Sequence, residues 1–327
     1  MKRYIDEKGT FEIKVPISWR YSLKHNKVHT FQEYEIWKSD AFQLSINEHS
    51  DDESVNQYQN WIEKFPSVKI NDIRYFIFPE NNVGGLSTKS WTTLVGKKTI
   101  LFTLTHSVNQ DFELDPIQID NKIEIVHEII STFKLISQDK SEDEINSFRF
   151  EMFLQGVGAT VYMLNKAVEN QAFIEATCLL ASQIDGILRT GIVLQKQLNE
   201  NNSKIDTEWI YQGTNDRKKS EKDIYQKAKE LGILNDELFK ELYVLYDDRN
   251  RVIHRFIISE ITVAEVEEIA YKYYEMQQKI KSIIYDIESK QIELGVGMTK
   301  VGDASDGNII DEIKGKFGKQ SYFEDKK

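Results

Sequence analysis

The spacing of apolar residues changes character once along this chain, near residue 137, and that change limits the fold more than any other feature. Before it, short runs rich in aromatic and β-branched residues alternate with turn signals, which is the pattern of strands. Phe11-Glu12-Ile13-Lys14-Val15 alternates and stops at Pro16; Phe42-Gln43-Leu44-Ser45-Ile46 alternates and stops at polar residues. TILFTLT, residues 99–105, reads as a mostly buried strand after SWTTLVGKK, where Gly96-Lys97 makes a hairpin turn. Helical spacing predicts a helix over 54–64, capped by Ser54, with Val55, Tyr58, Trp61, Ile62 and Phe65 on one side. It predicts a second over 116–132, striped by Ile119, Ile123, Val126, Ile129 and Ile130, and a short strand over 132–136 follows. Trp19, Trp37, Trp61 and Trp91 are expected in the core of this half.

After residue 137 almost everything to Leu294 has helical period. Helices are expected over 142–168, 170–199, 220–231 and 235–258, and from Thr262 to about 292. Gly232 ends the third, Asn235 or Asp236 caps the fourth, and Thr262 with Glu265 has capping-box spacing. The expected fold class is therefore an α+β domain over 1–137, an antiparallel sheet with flanking helices, followed by an all-α bundle over 142–294. Gly, Asp and Lys dominate 295–327, which reads as a flexible tail with a short helical patch at 309–313.

Composition removes several function classes. The single cysteine, Cys178, excludes a disulfide framework and a thiolate zinc site. No run of about 18 apolar residues suggests a membrane span, and MKRYIDEKGTFEIKVP lacks the apolar core of a signal peptide. A cytoplasmic protein without cofactor, metal or membrane partner is expected. A net charge of -11 excludes broad coating of nucleic acid; phosphate would bind only at a local basic patch. Common catalytic signatures fail on their own terms. His127-Glu128 starts a zinc-protease pattern, but Ser131 stands where the second histidine belongs. Neither Gly84-Gly85 nor Gly156-Val157-Gly158 is followed by Gly-Lys-Ser/Thr, and Gly295-Val296-Gly297 has no strand before it. Cys178 lies among Ala176, Leu179 and Leu180 and reads as a small buried hydrophobe.

One constellation carries chemistry. The fourth helix of the bundle contains Leu242-Tyr243-Val244-Leu245-Tyr246-Asp247-Asp248-Arg249-Asn250-Arg251-Val252-Ile253-His254-Arg255-Phe256. At ~100° per residue, Asn250 and His254 share a face with Asp247 and Arg251. Leu242, Leu245, Tyr246, Val252, Ile253 and Phe256 are expected on the core-facing side. Histidine titrates near neutral pH and can serve as acid or base. Arginine grips phosphate with a planar fork, and asparagine can orient the imidazole or bond the phosphate. These groups suit RNA cleavage through its own 2′-hydroxyl without a metal. Arg249, Asn250 and His254 are the candidate catalytic residues. Arg251, Arg255, Arg217, Lys218 and Lys219 are the candidate RNA-binding residues. A solvated helix face, with the bundle a non-catalytic module binding a nucleotide or a partner protein, is the competing explanation. Convergence of the cations on His254 favours RNA; neutralisation by acidic residues favours the module.

The segment 142–292 resembles a HEPN domain, on the order of its helices and on Arg249-Asn250-Arg251-Val252-Ile253-His254 late in the bundle. That resemblance implies a helical bundle, homodimerisation and metal-independent endoribonuclease activity. It places Arg249 and His254 on the family's catalytic pair and Asn250 on its polar neighbour. Many relatives are toxins or effectors of conflict systems such as phage defence, and some are inactive binding modules. In members silenced by a nucleotidyltransferase antitoxin, a tyrosine two residues after the histidine is modified. Phe256 stands there and has no hydroxyl, so that form of silencing is not expected. The first ~136 residues resemble the PsbP-like fold, on GTFEIKVPISW, residues 9–19, and IISTFK, residues 129–134. This implies a small binding module without chemistry, which would serve as a sensor for a protein or phage-derived trigger.

Overall fold

The computed structural model describes residues 1–24, 28–33, 40–83, 85–107, 116–212 and 218–300. The chain divides into two compact units that part between Ser137 and Gln138. Among the described residues the first carries ten strands and two helices. β1 (Lys2–Ile5), β2 (Phe11–Val15) and β10 (Lys134–Leu135) form a three-stranded sheet in the order β1-β2-β10. The seven-stranded sheet is formed by β3 (Trp19–Lys24), β4 (Val28–Glu33), β5 (Ala41–Glu48), β6 (Ser67–Ile70), β7 (Ile73–Val83), β8 (Leu86–Val95) and β9 (Lys98–Ser107). Its order is β3-β4-β5-β9-β8-β7-β6, and every neighbouring pair is antiparallel. β8 and β9 turn at Gly96, whose φ of 58° suits glycine.

The inward residues of the strands, Phe11, Ile13, Phe31, Phe42, Leu44, Trp91 and Phe102, meet Val126, Ile129 and Ile130 of α2 (Pro116–Ser131) in one core. Trp91 is fully buried, and its indole N–H donates to His127 Nε2 at 3.1 Å. That bond holds His127 half-buried, and burial pushes its pKa down. Helix α1 (Asp52–Ile62) starts two residues earlier than the sequence suggests: Asp51 is the cap and accepts the Ser54 N–H at 2.7 Å. Trp61 lies 45% exposed on this helix rather than in the core, and Trp37 lies outside the described residues.

The second unit is helical: α3 (Ser141–Glu169), α4 (Phe173–Glu200), a 3₁₀ turn at Thr207–Trp209, α5 (Glu221–Glu230), α6 (Asp236–Arg255) and α7 (Val263–Leu294). Caps set most of these limits. Asn235 accepts from Leu238 N–H at 2.8 Å, Ser220 and Thr262 form capping boxes, and Gly232 and Gly295 take left-handed backbone after α5 and α7. α4 is the central helix. Ile184, Leu188, Ile192 and Leu194 are buried against Leu242, Leu245 and Val252 of α6 and Tyr273, Ile280 and Ile284 of α7. Gly191 permits the α4–α7 contact, since a Cβ there would meet the Ile284 side chain. α4 is long and apolar enough to cross a bilayer, with a mean hydropathy of 1.3, but two thirds of that stretch is buried inside the bundle. Of the expected tail, 301–327, including the patch at 309–313, lies outside the described residues. Residues 296–299 are held by two buried glutamines: Met298 N–H donates to Gln197 and Thr299 N–H to Gln291.

Candidate functional site

α6 carries the Arg249-to-His254 segment in its last two turns, and the helix turns its members to different environments. Leu242, Leu245 and Val252 are buried, as their spacing requires. Tyr246 and Phe256 are half-buried, whereas Ile253 is 40% exposed and does not belong to the core side. His254, Asp247 and Arg251 are exposed, so the polar stripe faces outward. Arg249 does not. It lies ~20–60° from Leu242, Leu245 and Val252 around an ideal helix, and its side chain is only 19% exposed.

What makes an inward arginine tolerable is Glu221, the first residue of α5. Its carboxylate forms an ion pair with the Arg249 guanidinium and accepts the Tyr225 hydroxyl one helical turn further on. A second arm of Arg249 donates to Asn250 Oδ1 at 3.2 Å, and the guanidinium lies 4.8 Å from the centre of the Tyr246 ring. Burial works most strongly against the charge on Arg249, but Glu221 together with Tyr273 and Tyr225 raises its pKa overall. Burial, then Glu221, also raises Tyr225, so this phenol stays protonated and donates. Tyr273 is raised by burial first and by Glu221 next, and donates to Leu245 O at 2.7 Å. Cys178, half-buried on α4, is held as a thiol by burial, although Arg249 favours its thiolate. The Nε of Arg249 is buried with no hydrogen-bond partner among the described residues.

The surrounding cations divide. Arg251 pairs with Asp248 at 3.2 Å; Lys219 pairs with Glu208 and lies over the Trp209 ring at 3.7 Å. Arg255 and Lys218 are exposed and form no ion pair among the described residues, and Arg217 lies outside them. Sequence reasoning missed Glu221 and Tyr225. The only signal for them was a Ser-Glu at the start of a helix with a tyrosine four residues on; their approach to Arg249 is a tertiary fact. Among the described residues no three His, Cys, Asp or Glu side chains are placed to hold a metal ion.

No family model matches the chain, and no curated protein matches it. Solved structures give distant likenesses. A Bacteroides thetaiotaomicron VPI-5482 protein aligns at 12% identity over 79% of each chain, with a TM-score of 0.33. Cyanobacterial PsbP (CyanoP) from Synechocystis sp. PCC 6803 aligns at 14% identity over 41% of this chain and 92% of its own, with a TM-score of 0.29. Likenesses this distant carry no argument about fold or chemistry.

Proposed function

We propose that the chain is a HEPN-type, metal-independent endoribonuclease, an effector of a toxin or phage-defence system that cuts RNA through its 2′-hydroxyl. The observation that supports this most is the pairing, on one helix end, of a guanidinium fixed by Glu221 and Asn250 with an exposed imidazole five residues on. A held arginine loses little freedom on meeting a phosphate. An exposed histidine can exchange protons with substrate. The first unit, with its PsbP-like pattern, would be the sensor. Total RNA incubated with the purified protein in EDTA should be cut, leaving 2′,3′-cyclic or 3′-phosphate ends. A requirement for Mg²⁺ with 5′-phosphate products would place the chemistry elsewhere.

The active species in this scheme is a homodimer with the α6 helices of two copies facing each other. Arg249 and His254 lie ~140° apart on one ideal helix, so one protomer presents them poorly to a single phosphate. Two-fold pairing would supply two imidazoles, one as base and one as acid. Ile253, Ile257 and Ile258, exposed by 40, 94 and 81%, give this helix end an apolar surface that suits a second copy. Sedimentation at working concentration should show a dimer, and Ile257→Asp with Ile258→Asp should give an inactive monomer. Full activity in a strict monomer would defeat the composite site.

A second function has its own support. Arg249, Arg251 and Lys219 are each neutralised by a carboxylate, which fits a non-catalytic module binding a nucleotide or a protein. Absence of RNA cleavage by the dimer would favour it.

A further inference from the structure

Arg189 and Arg249 of the helical unit are paired with carboxylates, but Arg149 has a different partner. Arg149 of α3 lies over the ring of Tyr211 at 4.2 Å, and no carboxylate pairs with it among the described residues. It borders a cleft of about 420 Å³ between α3, α4 and the segment after the 3₁₀ turn. Phe148 and Phe153 form an apolar wall, and the floor is tight at Gly186, where a Cβ would come within 2.8 Å of Val157. Asp185 adds a polar group. Its Oδ2 accepts from Arg189 at 2.6 Å, while its Oδ1 is buried with no donor among the described residues. The cleft thus offers a cation without a carboxylate partner among the described residues, beside a flat aromatic surface.

Its position along α4 matters as much. Ser182 and Asp185 line the cleft, and Cys178, which feels the charge of Arg249, precedes them by four and seven residues on the same helix. At ~1.5 Å per residue Ser182 and Asp185 lie about 6–10 Å along α4 from Cys178, roughly the span of one nucleotide.

We infer that this cleft is a substrate subsite that holds one nucleotide of single-stranded RNA, its phosphate on Arg149 and its base against Tyr211 and the phenylalanine wall. Single-stranded bases are bound in this way, by stacking on aromatic rings beside a cation. The inference rests on the ribonuclease proposal for the identity of the ligand.

The test is fluorescence anisotropy of a labelled eight-nucleotide RNA, fully 2′-O-methylated so that it cannot be cut, titrated with the full-length protein. Tyr211→Ala and Arg149→Gln should each weaken binding about tenfold or more, and Tyr211→Phe should restore it. Tyr211 is 45% exposed, so its replacement leaves the core untouched. Unchanged affinity in both variants would overturn the subsite, even if the protein cuts RNA. Adenosine monophosphate competing with an affinity equal to that of the oligomer would overturn it too, marking a site for a free nucleotide. Loss of oligomer binding in the variants would uphold the subsite even if unmodified RNA were never cleaved.

Discussion

Arg249→Met is expected to destabilise the helical unit by about 3 kcal/mol, because it strands the Glu221 carboxylate where it is only 12% exposed. Removing one partner of a buried pair leaves an uncompensated charge, whereas removing both often costs little. The double variant Glu221→Gln with Arg249→Met should therefore recover most of the loss. Urea unfolding checks both, with an unchanged m-value marking a true change in stability. A loss under about 0.5 kcal/mol in the single variant would mean the pair behaves like a solvent-exposed one. Arg249→Lys separates stability from chemistry. It keeps a positive charge for Glu221 but loses the planar fork, so the fold should persist while RNA cleavage fails.

His254→Ala should lower RNA cleavage by ~10²–10⁴, the usual consequence of losing a positioned acid or base. Its unfolding curve should overlay that of the parent, because the imidazole is exposed and makes no hydrogen bond or ion pair among the described residues. The contrast with Arg249 is the useful part: one member of the pair is built into the bundle, the other is free of it. Cleavage at the parent rate by a folded His254→Ala protein would remove the histidine from the mechanism. Loss of cleavage together with loss of structure would mean that His254 supports the helix end after all.

The helices were legible in the sequence because their limits are local. Thr262 and Glu265, Asn235, and Gly232 each act within one turn, and α5 to α7 begin and end within about three residues of expectation. The sheets were legible only where one face is buried. β2 and β5 alternate clearly; β3, with four of its six residues exposed, and β7, whose register shifts between Phe78 and Asn81, give a weaker pattern. Ser54 precedes the apolar run and so resembles a cap, but the Asp51 carboxylate is the group that accepts its N–H. At the candidate site, the outward stripe of Asp247, Asn250, Arg251 and His254 followed from the helical period alone. The inward turn of Arg249 was implicit in the same period. Its partner Glu221, 28 residues earlier on a different helix, was not, since only packing of α5 against α6 brings them together.

The proposed reaction cuts RNA by using the RNA's own 2′-hydroxyl. The most direct measurement follows two end-labelled RNAs of one sequence in EDTA, one unmodified and one carrying a single 2′-O-methyl group at the position cut in the other. The account predicts cleavage of the first, with a cyclic phosphate end, and complete protection of that position in the second. Equal cleavage of both at that position would show that another nucleophile does the work and would contradict the assignment of Arg249 and His254.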